Sequence, residues 1–281
     1  MQTLYTVLNA GIILFVIHLL MIAPRFPRRR FSLPDKGFAH RGLWSEEENI
    51  PENSMSAFRN AVAHGFGIET DVQLSSDGVP VIMHDSSLLR MCGVDRKVSE
   101  LTYGELSLLR LGDTDERIPT FAELLEAVDG KVALLIELKG ETFDTLLCDT
   151  IAPMLDAYDG EFVIESFNPV LLHRMKKLRP KIIRGQLMTD FIKRNETSAK
   201  VRPYLLTSLR TNILARPDFI AYDMTFPRLF ALRLTTRIFR ARRCVWTVRS
   251  EESYEKFVGR GECPIFENFI PGDKKDAEKR L

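Results

Sequence analysis

Two histidines and three carboxylates in the sequence could together cleave a phosphodiester bond. The histidines are His40 and His84, and the carboxylates are Glu69, Asp71 and Glu137. Cleavage of a phosphodiester requires one group that deprotonates the nucleophile and another that protonates the leaving alkoxide. Two imidazoles can perform both tasks at physiological pH. His40 and His84 are therefore the predicted acid–base pair, and the sequence does not show which of them is the acid.

The carboxylates predict a binding site for a hard cation. Glu69 and Asp71 are two residues apart in a strand-like run, so their side chains point to the same side. Neighbouring carboxylates repel each other unless a positive charge joins them, and a divalent cation with oxygen ligands is the usual solution. Glu137 ends another such run and can supply a third oxygen. This ligand set favours Ca²⁺ or Mg²⁺ over Zn²⁺. The alternative is a surface carboxylate pair bound to arginine.

Arg41 and Lys139 are the predicted phosphate ligands. Both could bind the non-bridging oxygens and stabilise negative charge in the transition state, and arginine suits bidentate contact with phosphate. Lys139 lies two residues after Glu137 and should point to the same side of the chain. The alternative role for both cations is a salt bridge to the carboxylates, and the two roles are compatible.

Most of these candidate residues end an apolar run that is typical of a β-strand. Eight such runs alternate with segments of helical periodicity, which predicts a (β/α)8 barrel. Active sites of such barrels lie at the carboxyl ends of the strands. The predicted strands are 37–40, 67–73, 132–138, 161–167, 182–187, 218–223, 244–248 and 264–268. The predicted helices are 54–64, 120–128, 142–156, 169–178 and 250–258, with others within 189–215 and 226–242.

One additional strand-like run, 79–83, follows the second barrel strand too closely for a helix to lie between them. The two strands should therefore be antiparallel, with Asp77-Gly78 as a two-residue hairpin turn. This turn places His84 opposite Asp71 and so brings the second histidine to the carboxylates. Residues 74–118 are then an insertion after strand two.

Residues 3–23 form an uncharged apolar run of the length that a transmembrane helix requires. Positive charge follows the run instead of preceding it, unlike the pattern of a cleaved signal peptide. The positive-inside rule then places the catalytic domain in the cytoplasm. We expect a single-pass anchor at 3–23, a basic linker at 24–36, a catalytic barrel at 37–270 and a polar tail at 271–281. The barrel should take no core residues from the anchor. The alternative is a helix buried in the domain.

The composition excludes some classes of protein. The 281 residues carry a net charge of +1 and 45% hydrophobic side chains, which suits one large barrel core. A near-neutral charge argues against a dedicated nucleic-acid-binding protein. Residues 226–243 are locally basic, with six arginines among apolar side chains. This segment is either a membrane-surface helix or an outer barrel helix with a solvated basic face.

Several motifs resemble those of the glycerophosphodiester phosphodiesterase family, over roughly residues 37–270. In order, they are His-Arg-Gly at 40–42, Pro-Glu-Asn-Ser at 51–54, Glu-x-Asp-Val at 69–72, Asp-Gly-Val-Pro-Val-x-x-His-Asp at 77–85 and Glu-Leu-Lys at 137–139. Each motif is weak alone, but together and in this order they are specific. The resemblance implies the same catalytic histidines and the same three acidic metal ligands.

The resemblance also suggests residues that border the substrate pocket. Trp246 is similar to a late-strand tryptophan of the family, although it could instead belong to the barrel core. Phe167 lies in Ser166-Phe167-Asn168-Pro169, which resembles a family motif at a strand end. Glu52 is expected at the rim of the site, while Asn53 or Ser54 is a natural helix N-cap.

Two positions depart from the family pattern. Arg249 follows Trp-Thr-Val, where asparagine is usual, and Pro-Ile-Phe-Glu-Asn-Phe at 264–269 replaces an Ile-x-Thr-Asp pattern. These departures concern recognition of the headgroup, and they leave the metal ligands and the histidines intact.

Together these observations predict metal-dependent hydrolysis of a glycerophosphodiester to glycerol-3-phosphate and an alcohol. The attacking hydroxyl is either water or the glycerol 2-hydroxyl of the substrate. Because of the anchor, lysophospholipids are a second substrate class, which would make the protein a lysophospholipase D. A phosphatidylinositol-cleaving phospholipase C would release a cyclic phosphate and need not keep the Glu-x-Asp pair. A membrane-tethered, non-catalytic phospho-ligand binding module is disfavoured by the complete set of histidines and carboxylates.

Overall fold

A closed barrel of eight parallel strands surrounds the centre of the molecule, as predicted. The computed structural model describes residues 1–26, 31–140, 143–194 and 201–272, with only the backbone described at 201–202. Around the barrel the order is β1, β2, β4, β5, β6, β7, β8 and β9, and β9 pairs with β1; β3 is antiparallel to β2. The strands are β1 Phe38–Ala39, β2 Gly67–Leu74, β3 Pro80–Ile82, β4 Leu134–Leu138, β5 Phe162–Ser166, β6 Arg184–Met188, β7 Phe219–Asp223, β8 Arg242–Val248 and β9 Cys263–Phe266.

The outer helices begin at capping side chains that the sequence provides. Ser54 Oγ accepts a hydrogen bond from the backbone of Ala57 at 3.1 Å, and Thr120 forms a capping box with Glu123, so each satisfies backbone donors at a helix start. The helices are α1 Gln2–Ile22, α2 Met55–His64, α3 Leu89–Cys92, α4 Tyr103–Leu106, α5 Phe121–Val128, α6 Leu146–Asp156, α7 Pro169–Leu178, α8 Phe191–Arg194, α9 Val201–Thr207, α10 Asn212–Ala215, α11 Phe230–Arg237 and α12 Glu251–Val258.

The hairpin of β2 and β3 forms, but the predicted register is wrong by one residue. The backbone N–H of Ser75 donates to the carbonyl four residues later at 3.0 Å, which leaves three residues in the turn. Gly78 ends this turn with φ of +81°, a conformation that a three-residue hairpin loop requires. Met83, and not His84, therefore donates to the Asp71 carbonyl. An Asp-Gly pair suits either turn length, so the sequence could not decide between them.

The segment predicted as an insertion has a small apolar core of its own. Its buried side chains run from Val81 to Ile118 and include Leu88, Val98 and Leu106. The barrel interior holds a second cluster around Phe38 and Phe219, and the main core lies between the strands and the outer helices. Because the insertion packs by itself, it can hold the residues after β3 in place beside the barrel.

Helix α1 is long and apolar enough to cross a membrane, and residues 1–17 are exposed. Its last turn, however, belongs to the barrel. Ile22 is fully buried in the main core, and Leu19 packs against that core. Asn212 Nδ2 donates to the Ile22 carbonyl at 3.0 Å, and Arg216 donates to two further carbonyls at the helix end at 2.9 and 3.0 Å. The expectation that the predicted anchor contributes no core residue was wrong, because one apolar run continues from the exposed part of α1 into the core.

The chain after α1 covers the amino end of the barrel. Arg25 Nε lies 3.2 Å from the buried carboxylate of Asp218, at the start of β7. Phe31 and Leu33 pack against the cluster in the barrel interior. The predicted basic linker is thus packed on the barrel where it is described; Arg28, Arg29 and Arg30 lie outside the described residues, as does most of the predicted tail. The domain boundaries given above stay predictions.

Candidate active site

The predicted catalytic and metal-binding residues meet at the carboxyl end of the barrel. His40 and Arg41 directly follow β1, and His84 follows β3. Asp71 of β2 is in register with Glu137 of β4. The full set at this end is His40, Arg41, Glu69, Asp71, His84, Glu137 and Lys139.

Glu69, Asp71 and Glu137 form a buried acidic cluster. One carboxylate oxygen from each lies within 4.8 Å of the others, and the three residues are at most 7% exposed. Burial, together with the neighbouring carboxylates, raises the pKa of Glu69 well above its usual value. Burial likewise raises the pKa of Glu137 to about 7. Such repulsion is relieved when a divalent cation joins the oxygens, so the donor set fits a hard metal ion.

Two cations already compensate part of this negative charge. Lys139 Nζ lies 2.9 Å from Asp71 Oδ1 and 2.9 Å from Glu137 Oε1. Arg41 donates its backbone N–H to Glu69 at 2.9 Å and places Nε 3.8 Å from Asp71. Burial would raise the pKa of Asp71, but nearby cations, Lys139 foremost, outweigh it and hold that pKa well below its usual value. Both cations thus make the salt bridges that were one of their predicted roles, and phosphate binding stays a prediction.

Asn53 takes a position in the site that the sequence did not reveal. Its Nδ2 donates to Asp71 Oδ2 at 2.9 Å, and its Oδ1 accepts from Thr70 Oγ1 at 3.0 Å. It is buried with φ of +54°, while Ser54 provides the helix cap. The polar side chain before a helix was taken as a cap, and only the fold shows that this one turns toward the acidic cluster.

His40 is held by an ion pair made from the two departures from the family pattern. Its Nδ1 is hydrogen-bonded to Glu267, and its Nε2 lies 3.9 Å from Glu69 Oε2. Arg249 Nε donates to Glu267 Oε1 at 2.7 Å. Although burial opposes it, these two partners lower the pKa of Glu267 to about 2. A carboxylate on Nδ1 fixes the tautomer and the ring orientation, so Nε2 faces the acidic cluster.

His84 is held by a longer chain of charged groups. Its Nδ1 lies 2.6 Å from Asp85 Oδ1, and Asp85 also accepts from Arg90. Arg90 then donates to Glu52 at 2.6 Å, and Glu52 accepts from Arg41 at 2.8 Å. Burial lowers the pKa of His84, which favours the neutral imidazole. Glu52 was expected at the substrate rim; here it joins two arginines, and contact with substrate stays a prediction.

Aromatic rings line another part of the same end. Phe167 and Trp246 contact edge to face with centroids 5.7 Å apart, and Phe191 lies 5.5 Å from Phe167. The guanidinium of Arg194 lies 5.8 Å from the Trp246 ring centroid. The two residues predicted to border the pocket, Phe167 and Trp246, are thus in contact, and both are half-buried. Trp246 Nε1 is buried and has no hydrogen-bond partner among the described residues.

A fourth buried carboxylate lies on the strand next to Glu137 and was not predicted. Glu165 of β5 is in register with Glu137 and is 1% exposed. Burial, and then the charge of Glu137, raises the pKa of Glu165 well above its usual value. The only sequence signal for it is a glutamate inside a strand-like run, which is common without any function.

The comparisons with known proteins agree with this geometry. The model of the glycerophosphoryl diester phosphodiesterase family matches residues 40–270. This chain belongs to that family. The family depends on a divalent metal, and the acidic cluster could bind one.

Individual relatives are similar along much of the barrel. A glycerophosphodiester phosphodiesterase of Bacillus altitudinis is 28% identical over 83% of this chain and 94% of its own length. One from Caldanaerobacter subterraneus is 34% identical over 53% of this chain and 65% of its own length. The chain spans about half to two thirds of the length of several curated relatives that it matches.

A solved structure shares the fold of this family member. An Oleispira antarctica phosphodiesterase in complex with the product sn-glycerol-3-phosphate superposes with a TM-score of 0.65 and 25% identity. The match covers 82% of this chain and 91% of the other.

Proposed function

We propose that this chain is a membrane-anchored, metal-dependent glycerophosphodiester phosphodiesterase that releases glycerol-3-phosphate and an alcohol. The observation that carries the proposal is the meeting of two histidines with a buried acidic cluster at one end of the barrel. The product bound to the Oleispira relative is the one proposed for this chain.

Each group at the site has a role that its contacts support. Glu69, Asp71 and Glu137 hold the divalent cation, Ca²⁺ or Mg²⁺, which when bound polarises a phosphate and lowers the pKa of an attacking hydroxyl. His40 and His84 transfer the protons, since a carboxylate holds Nδ1 of each ring and leaves Nε2 for the substrate.

Basic side chains bind the phosphate, and aromatic side chains border the substrate. Arg41 and Lys139 bind the non-bridging oxygens and stabilise the charge that develops on them. Phe167 and Trp246 border the substrate, and the buried indole N–H of Trp246 can donate to one of its oxygens. Glu52 orients Arg41 through their 2.8 Å contact. The attacking hydroxyl is either water, which gives glycerol-3-phosphate directly, or the glycerol 2-hydroxyl. The 2-hydroxyl would displace the alcohol and form a cyclic phosphate, which water must then open to glycerol-3-phosphate.

A substrate panel tests the proposed reaction. Purified full-length protein in detergent should release glycerol-3-phosphate from glycerophosphocholine or glycerophosphoinositol in the presence of Mg²⁺ or Ca²⁺. Lysophospholipids in the same panel measure the lysophospholipase D alternative. A cyclic phosphate from phosphatidylinositol as the main product would favour a phospholipase C. Tight binding of these diesters without turnover would overturn the proposal and indicate a binding module.

We also propose that α1 remains on the protein and spans the membrane, with the barrel in the cytoplasm. Residues 1–17 are exposed and uncharged, and Ile22 at the end of the same helix is fully buried in the main core. Removal of α1 as a signal peptide would take this core residue away, and basic residues follow the helix.

Extraction and protease protection test the anchor and its orientation. The full-length chain should resist alkaline carbonate extraction, and protease added outside intact cells should leave the barrel uncut. Release by carbonate would overturn the anchor, whereas cleavage by external protease would overturn the cytoplasmic orientation.

A further inference from the structure

We infer that the barrel end that carries the proposed active site lies against the lipid bilayer. Its exposed apolar loops then enter the membrane interface. Besides soluble glycerophosphodiesters, a lysophospholipid can then reach the site from the membrane, where loss of its headgroup alcohol would leave an acylglycerol phosphate. This inference rests on the proposed function and on the proposed anchor, and its occupant is a phospholipid bilayer.

The direction of α1 is the first observation. Arg25, just after the helix, contacts Pro217 and Asp218 at the amino end of β7, at 2.9 and 3.2 Å. About two turns earlier, the ring of His18 stacks on Phe230, with centroids 6.3 Å apart. Phe230 begins α11, which follows the carboxyl end of β7. The chain thus descends the barrel wall from His18 to Arg25, and the residues before His18 must project beyond the carboxyl end.

The length of the exposed part is the second observation. Residues 1–17 are exposed and, at 1.5 Å per residue, measure about 25 Å. The hydrocarbon core of a bilayer is about 30 Å thick. Even with the carboxyl end of the barrel at the membrane surface, this part is about 5 Å shorter than the core, a mismatch that local thinning of the bilayer can accommodate. Any gap between the barrel and the bilayer would make the span shorter still. Because the last turn of α1 is fixed to the barrel by Ile22 and Asn212, no free linker separates the two.

The apolar side chains on the loops are the third observation. Phe143 follows β4 and is 88% exposed, and Phe230 follows β7 and is 63% exposed. Ile192, after β6, is 56% exposed. Apolar and aromatic residues of this kind insert at the boundary of headgroups and acyl chains. From Ile192 the apolar surface continues through Phe191 and its ring contacts to the aromatic wall of the site.

The charges on the same loops fit an anionic surface. The side chain of Lys193 is 72% exposed, and Arg228 is exposed beside the loop that leads to Phe230. Basic side chains near a membrane are attracted to anionic lipids. Within the basic segment 226–243, α11 is an outer barrel helix whose Ala231 and Leu232 are buried against the barrel, and Arg242 and Arg243 already belong to β8. Only the beginning of this segment reaches the membrane-facing end.

A depth measurement tests the docking without any assay of activity. Full-length protein in nanodiscs of phosphatidylcholine and phosphatidylglycerol carries an environment-sensitive NBD label on Phe143→Cys, in a Cys92→Ser background. The matched label is on Val258→Cys, a 40% exposed residue at the amino end of the barrel. Lipid-borne quenchers should quench the label at 143 and spare the label at 258. Equal exposure of both labels to a water-soluble quencher would overturn the inference.

An activity measurement tests the route of the substrate. Phe143→Ser and Ile192→Ser should lower the rate on lysophospholipid in vesicles several-fold while leaving kcat/KM for a soluble glycerophosphodiester unchanged. Val258→Ser should change neither rate. Equal losses on both substrates, or none on either, would overturn a membrane route. If no diester is cleaved by the wild type, the proposed function fails, and the depth measurement still decides whether this face docks on lipid.

Discussion

The two ends of the barrel differ in the arrangement of their buried carboxylates. At the amino end, Asp218 is bound by Arg25 at 3.2 Å and by the backbone N–H of Arg184 at 3.1 Å, and Phe31 covers the interior cluster. At the carboxyl end, the carboxylates Glu69, Asp71, Glu137 and Glu165 lie close together, and their pKa values are pushed apart.

This difference separates residues that stabilise the fold from residues that are kept for chemistry. Paired and covered charges at the amino end contribute to folding and to the docking of α1. Crowded carboxylates at the carboxyl end repel each other, and perturbed groups of this kind cluster at functional sites. Substitutions at the carboxyl end should therefore lower kcat, whereas substitutions at the amino end and in the docked turn of α1 should lower the stability of the fold.

The largest effect is expected from the histidines at the carboxyl end. His40→Ala and His84→Ala should each lower kcat by roughly 10² to 10⁴, the range for lost acid–base catalysis, with little change in Tm. His64→Ala, an exposed histidine on α2, is the matched control and should leave kcat unchanged. Near-native kcat in either site variant would show that its assigned role is wrong.

A substitution at the buried end of α1 should instead lower stability and leave kcat unchanged. Ile22→Ala should lower the free energy of unfolding by about 2–5 kcal/mol, because it leaves a cavity in the core. The kcat of the protein that remains folded should stay close to that of the wild type. Ile13→Ala changes an exposed position of the same helix and should have little effect on unfolding in detergent. A loss of kcat without a loss of stability in Ile22→Ala would contradict the claim that this end of α1 stabilises the fold and takes no part in catalysis.

A bound divalent cation should raise the stability of the fold only when the carboxylates at the carboxyl end of the barrel are intact. Mg²⁺ or Ca²⁺ at about a hundred times Kd should raise the stability of the wild type by about 2.7 kcal/mol, measured as a rise in Tm. In Glu69→Gln this rise should be lost, while Tm in EDTA should increase because one repelling charge is gone. Asp149→Asn on α6 is the control and should keep the rise. A normal rise in Glu69→Gln would remove that residue from the ligand set.

The smallest effect is expected from a comparison of two glutamates at opposite ends of β9. Glu267, just after β9, holds His40, whereas Glu262, just before β9, accepts from Tyr222 at 2.6 Å. Glu267→Gln should lower kcat about tenfold, or about 1.4 kcal/mol of barrier, with KM nearly unchanged. Glu262→Gln should lower Tm and leave kcat intact. If Glu267→Gln changed Tm alone, its contact with His40 would be structural.

The sequence predicted the barrel well because each strand is a short apolar run that ends in polar residues. It also predicted the acidic cluster, since Glu69 and Asp71 alternate along one strand and so share a face. Turn length escaped prediction because Asp77-Gly78 suits two hairpin geometries.

What the sequence could not show depends on contacts between distant segments. Arg249 and Glu267 were seen separately as departures from a pattern, and only the fold shows that they pair beside His40. Asn53 was taken as a helix cap because its hydrogen bond to Asp71 also joins two distant segments and is visible only in the fold. The burial of Ile22 in the barrel core could not be predicted, because the side chains of a candidate membrane span and of a protein core are equally apolar.

The central claim is that the carboxyl-end carboxylates make a metal-dependent phosphodiesterase. It is tested most directly by the rate of glycerol-3-phosphate release from a soluble glycerophosphodiester after exhaustive chelation, followed by titration with Mg²⁺ or Ca²⁺. The wild type should lose activity in EDTA and regain it with cation, and Asp71→Asn should require much more cation. Full activity of the chelated wild type would contradict the account.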